Sequence, residues 1–156
     1  MKSRLGFGLG VAIFVMLLDQ FTKWYMVSQV TLPAGGIEVT SFFNIVLVHN
    51  DGVSFGLFAN DSAAGPWIFA GISLLISLLV VYWMWQAHSR WLLISTGLIL
   101  GGAIGNVIDR VTRGAVVDFL DFHVGSFSWP AFNVADIAIV VGVFMFAYDS
   151  IFKQKD

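Results

Sequence analysis

Apolar residues run along this chain in four long blocks, and polar residues gather in the gaps between them. The blocks cover about 5–28, 63–87, 91–110 and 134–151. Each approaches the roughly 20 apolar residues that one helix needs to cross a bilayer core. The second carries no charge, and only "HSR" separates it from the third, which predicts a tight helical hairpin. Glycines recur every fourth position in the third block (Gly97, Gly101, Gly105) and in the first (Gly6, Gly10). Such spacing lets helices approach closely in lipid and predicts a compact bundle.

The gaps differ in kind. In 30–62, "IEVTSFFNIVLVHN" is rich in β-branched and aromatic residues and runs into the turn signal "NDG", so a short β-structure is expected there. "GVSFGLF" follows and is expected to dip an apolar edge among headgroups. The other long gap, 111–132, reads as a loop.

Composition sharpens this pattern. Of 156 residues, 58% are hydrophobic and only 12% charged, where soluble domains carry about 25% charged residues. Mean hydropathy is +0.84. The chain is read as one integral membrane domain, residues 1–156. A net charge of −2 gives no sign of a nucleic-acid partner, and the absence of cysteine excludes disulfides, thiol nucleophiles and thiolate metal sites. The N-terminus imitates a secretory signal, with Lys2 and Arg4 before an apolar run. Asp19 and Gln20 follow where a small-x-small cleavage site is required, so an uncleaved first helix is expected.

Basic residues set the expected orientation. Lys2, Arg4, Arg90, Lys153 and Lys155 fall on one side, and Lys23, Arg110 and Arg113 on or near the other. Both termini are therefore expected in the cytoplasm, with 30–62 and 111–132 outside. Trp24, Trp67, Trp91 and Trp129 lie near the expected interfaces.

In that frame the ionisable groups fall towards the outer leaflet. Asp19 and Lys23 occupy the outer half of the first helix, while Asn106, Asp109 and Arg110 end the third. Asn50 and Asp51 lie in the first outer segment, Asp118 and Asp121 in the second, and Asn133 and Asp136 open the fourth helix. Local roles account for several of them. Asp19 and Lys23, four apart, can pair on one helix face. Asn50-Asp51-Gly52 reads as a turn, and Asp121 as a solvated loop acid. Asn133 as N-cap makes Asp136 the third helical residue, where a carboxylate can bond the cap and favours the helix dipole. His49, His88 and His123 are scattered without metal-ligand spacing, so no metal or cofactor is expected.

Asp118 is harder to explain locally, because "GAVVDFLDF" flanks it with apolar residues. Two acids held close cannot both ionise, so one keeps a proton while the other acts as base. Asp118 and Asp136 brought together would form such a pair. The alternatives are a proton-coupled transporter, a structural membrane subunit and a metallopeptidase.

Four blocks, in order, resemble a known family: "DQFTK" at 19–23, "NDGVSFG" at 50–56, "GGAIGNVIDRVTRGAVVDFLDF" at 101–122 and "FNVAD" at 132–136. They are similar to those of the lipoprotein signal peptidases (signal peptidase II), aspartic peptidases of bacterial membranes. The resemblance covers nearly the whole chain; Val53-Ser54 stands where Ala-Ala is common. It implies cleavage of prolipoproteins just before a diacylglyceryl-modified cysteine, at the outer side of the cytoplasmic (inner) membrane. It implies Asp118 and Asp136 as the catalytic dyad, preferring Asp118 to Asp121. It makes Asn106, Arg110 and Asn133 their polar neighbours, and Asp19, Lys23, Asn50 and Gly52 supporting residues. It also implies a β-cradle and a short mobile helix in 30–62. Membrane lipids are the expected surroundings, and a monomer suffices for the chemistry.

Overall fold

Each of the four apolar blocks is a helix in the computed structural model, which describes residues 2–52, 65–125 and 127–152. Helix α1 is Lys2–Gln29, α2 Gly65–Gln86, α3 Arg90–Arg113 and α4 Val134–Phe152. All four are long and apolar enough to cross a membrane. At 1.5 Å per residue they span roughly 28–42 Å, against about 30 Å of hydrocarbon. The third helix runs past the expected end at 110 because nothing breaks it before Gly114. That residue takes a left-handed conformation (φ 79°), and its N–H closes the helix on the Arg110 carbonyl at 3.1 Å.

Helix α3 is the centre of the bundle: 72% of its apolar window is buried, against 22% in each of the other three. Those three turn residues such as Phe14, Leu75, Leu78 and Phe144 outwards. An apolar exterior around a glycine-rich central helix suits lipid, where close packing replaces the hydrophobic effect as the force between helices. A methyl group on Gly101 would stand 2.5 Å from the Ala12 carbonyl oxygen of α1, and one on Gly102 equally close to that of Ala135 in α4. Ser95 adds an interhelical bond, its hydroxyl donating to the Gly142 carbonyl at 2.9 Å. The Gly6/Gly10 spacing in α1 is not used in this way. Neither meets another group within 4 Å, and the close approach falls on Gly8, against the Met84 sulfur of α2. Spacing alone does not say which side of a helix its neighbours occupy.

The two long segments between helices are not independent. Strands β1 (Ile37–Thr40), β2 (Phe43–Asn50), β3 (Val116–Val124) and β4 (Phe127–Ser128) form one antiparallel sheet in sequential order. The reading of 111–132 as a loop is thus corrected. "VVDFLDFHV" is β-branched and aromatic, lies between Gly114 and Gly125, and pairs with β2. Register sets Val48 opposite Asp118 and Asn50 opposite Val116, with an irregularity between Ile45 and Val48. Residues 53–58 of "GVSFGLF", and most of the segment expected to cover the site, lie outside the described residues.

Candidate active site

Asp136 is held first by its own helix. The Asn133 side chain accepts from the Asp136 N–H at 3.0 Å, and the Asp136 carboxylate accepts from the Asn133 N–H at 3.2 Å. This reciprocal arrangement is a capping box. The second carboxylate oxygen of Asp136 accepts from the Asn106 amide of α3 at 2.8 Å.

Asp118 reaches the same place from the sheet. It is 1% exposed, with one oxygen bonded by the Asn133 amide at 2.6 Å and the other by the Asn50 amide at 3.0 Å. Asn133 therefore touches both acids, which come from different elements 18 positions apart in the chain. Burial is the main force on Asp118 and raises its carboxyl pKa to about 6. The Asp136 charge pushes the same way, while the Asn50 and Asn133 amides oppose it. Asn50 also makes the turn expected of it: its side-chain oxygen accepts from the Gly52 N–H at 2.9 Å. Gly52 has φ 85° and packs against the Phe69 ring of α2, where a side chain would collide.

Arg110 projects from α3 beside the pair. Its guanidinium donates to the Asn106 carbonyl at 3.4 Å and stands 5.7 Å from the centre of the Phe69 ring. Its charge acts on both Asp136 and Asp118. An open cleft of about 600 Å³ borders the sheet and is lined by Asn50, Asp51, Asp118, Asp121 and Trp129, among others.

Behind the acids lies a second polar layer. Lys23 binds Asp19 at 2.8 Å, Asp109 at 2.7 Å and the Asn106 side-chain oxygen at 2.9 Å. The expected Asp19–Lys23 pair is formed, but it is shared. Asp19 accepts the Ala135 N–H at 3.0 Å, and Asp109 the Val117 N–H at 3.3 Å. Each buried acid thus holds the peptide N–H one residue ahead of Asp136 or Asp118. Gln20 bridges Asp19 and Asp109, and Arg113 pairs with Asp109. Sequence reasoning missed Gln20, Arg113 and Phe69 and gave Asp109 no role. Asp109 and Arg113, four apart on α3, carried a readable pairing signal; Gln20 and Phe69 carried none.

Asp121 is not a solvated loop acid. It lies half-buried in β3, accepts from Asn44 of β2 at 3.1 Å and from Ser128 of β4 at 2.9 Å, and so rivets three strands. Among the described residues no group of three or more His, Asp or Glu is disposed to hold a metal ion.

Residues 11–152 match the family described as signal peptidase (SPase) II. A lipoprotein signal peptidase from Beijerinckia indica is 41% identical over 148 residues, covering 94% of this chain and 89% of the relative. One from Burkholderia thailandensis is 43% identical over 149 residues with the same coverage. A solved structure described as a bacterial membrane enzyme, determined by the in meso method at 1.9 Å, superposes with a TM-score of 0.80. It shares 29% identity and covers 94% of each chain. Sequence and fold agree, and the chain belongs to the signal peptidase II family.

Proposed function

We propose that this peptidase removes the signal peptide from prolipoproteins by hydrolysing the bond before a diacylglyceryl-modified cysteine, with Asp118 and Asp136 activating water. The observation that carries the reading is the shared Asn133, which bonds both acids, of which Asp118 lines an open cleft. Membership of a peptidase family sets aside the transporter and structural-subunit readings.

The two environments suggest a division of labour. Asp136, oriented at a helix N-terminus by two N–H donors, serves as base. Asp118, buried with its pKa raised, favours the neutral acid. Water loses a proton to Asp136 and its oxygen bonds to the scissile carbonyl carbon, while Asp118 protonates the carbonyl oxygen. Collapse of the resulting diol breaks the C–N bond. Asp136 then returns its proton to the departing amine, and a diol hydroxyl proton restores Asp118. Two carboxylates and water suffice for this sequence, so it needs no cofactor.

The lipid anchor explains why the acids belong near one end of the bundle. Acyl chains on the substrate cysteine stay in the leaflet and hold the scissile bond at headgroup depth. We place both termini in the cytoplasm of a bacterial cell and the acids at the outer face of its cytoplasmic membrane, from the bias of Lys and Arg. One domain of 156 residues acts as a monomer, with membrane lipids around it.

The test is cleavage of a synthetic diacylglyceryl lipopeptide by purified protein in detergent, with EDTA present. Cleavage by the native chain and its collapse in Asp118→Asn supports the proposal. Equal cleavage by both removes Asp118 from the mechanism.

A further inference from the structure

The end of the bundle away from Asp118 and Asp136, where α4 buries Asp149, carries a second recess. It is a cleft of about 540 Å³ lined by Arg4 and Phe7 of α1, His88 and Ser89 of the α2–α3 turn, and Arg90 and Leu93 of α3. Arg4 lies fifteen residues before Asp19 on a continuous helix, so the two are separated by roughly 22 Å along the axis.

Its chemistry is of one sign. Guanidinium groups come from two separate helices, and none of the ion pairs among the described residues uses Arg4 or Arg90. No acid stands in the first turn of α1 or α3. The recess is also built rather than frayed. Arg4 donates to the His88 carbonyl at 3.4 Å, tying α1 to the turn, and the Ser89 hydroxyl caps α3 by accepting from the Leu92 N–H at 3.1 Å. The positive end of α3 therefore faces the same space as both arginines. Guanidinium forks match phosphate oxygens.

Depth distinguishes a lipid phosphate from a free one. Trp91 follows Arg90 directly and stands 6.1 Å from Tyr148, which is 5.0 Å from Phe152. Aromatic clusters of this kind sit at the headgroup level. Phe7 and Leu93 give the cleft an apolar wall, as an acyl chain below a bound phosphate requires. We infer that this recess is a binding site for the phosphate of an anionic phospholipid in the leaflet opposite the catalytic acids.

The full chain, delipidated in neutral detergent, is titrated with phosphatidylglycerol, phosphatidylcholine or inorganic phosphate and read by native mass spectrometry. The native protein is expected to retain one phosphatidylglycerol in preference to phosphatidylcholine. Arg4→Gln/Arg90→Gln is expected to bind it roughly 30-fold more weakly, since each basic residue near a lipid surface contributes about fivefold. Lipopeptide cleavage in neutral detergent should stay within about twofold of native. Lys153→Gln/Lys155→Gln removes the same charge at other positions of the sequence and should leave retention intact. Equal retention by the double arginine variant overturns the proposal. Equal loss in the lysine variant also does so, by revealing diffuse attraction, and displacement of the lipid by millimolar inorganic phosphate would identify a free-anion site instead. Should the double variant not fold, Arg90→Gln alone decides, with about fivefold weaker binding expected.

Discussion

The proposed dyad and the ion cluster behind it are both groups of two carboxylates, yet the structure treats them in opposite ways. Asp19 and Asp109 are fully buried and share the ammonium of Lys23, itself fully buried. Asp118 and Asp136 are held by the neutral amides of Asn50, Asn106 and Asn133, and Asp118 lines a cleft. The Lys23 ammonium brings a full charge to both carboxylates it touches. An amide orients a carboxylate without supplying a full charge, so the proton remains available. The first pair is suited to holding backbone and the second to moving protons. They are joined because Asn106 accepts from Lys23 and donates to Asp136.

The largest test of this contrast is to remove the proton traffic and keep the shape. Asp136→Asn retains a capping acceptor, so lipopeptide cleavage should fall by at least about 10⁴-fold, while thermal unfolding moves by only a few degrees. Removing the charge balance should do the reverse. Lys23→Met leaves two acids buried without their shared cation and is expected to cost about 3–5 kcal/mol of stability, read from unfolding in detergent. A Lys23→Met variant that keeps its stability and loses only turnover would overturn the charge-balance role of Lys23. Gly105→Ala strains the cluster from α3, because its methyl would stand 2.5 Å from the Asp19 carboxylate. A cost of about 1–3 kcal/mol is expected, whereas Gly6→Ala, with nothing within 4 Å, should be neutral.

The smallest effect concerns the proton itself. With the Asp118 carboxyl raised to about 6 and acting as the acid, cleavage should decline as pH rises through that value. The Asn50 amide favours the ionised form, so Asn50→Ala should move this limb upwards. Stability follows the same sign. The folded chain binds this proton more tightly than the unfolded one, so the contribution is complete below about pH 4 and lost as pH passes through 6. Asp118→Asn should abolish that part of the pH dependence in unfolding experiments. An unshifted limb in Asn50→Ala would remove the amide from the control of this proton.

The four helices were legible from residue order because hydropathy and length are properties of contiguous segments, and lipid rewards them without reference to tertiary contacts. The Asn133–Asp136 cap was legible for the same reason, since its partners are three residues apart. Four ordered blocks also carried the family. The sheet joining 37–50 to 116–128 was half visible: each strand has a suitable composition, but pairing across more than 60 residues leaves no periodic trace. Asp109 shows the limit most clearly. Its four-residue spacing to Arg113 is readable and that pair is formed, but packing also buries it against Lys23 of another helix and the backbone of β3. The sequence by itself determined which segments can enter a membrane and which polar residues are available near one end. Tertiary structure decided which of those residues are neutralised by a cation and which are held by amides, because that distinction depends on groups brought within 3 Å from positions more than 80 residues apart in the chain.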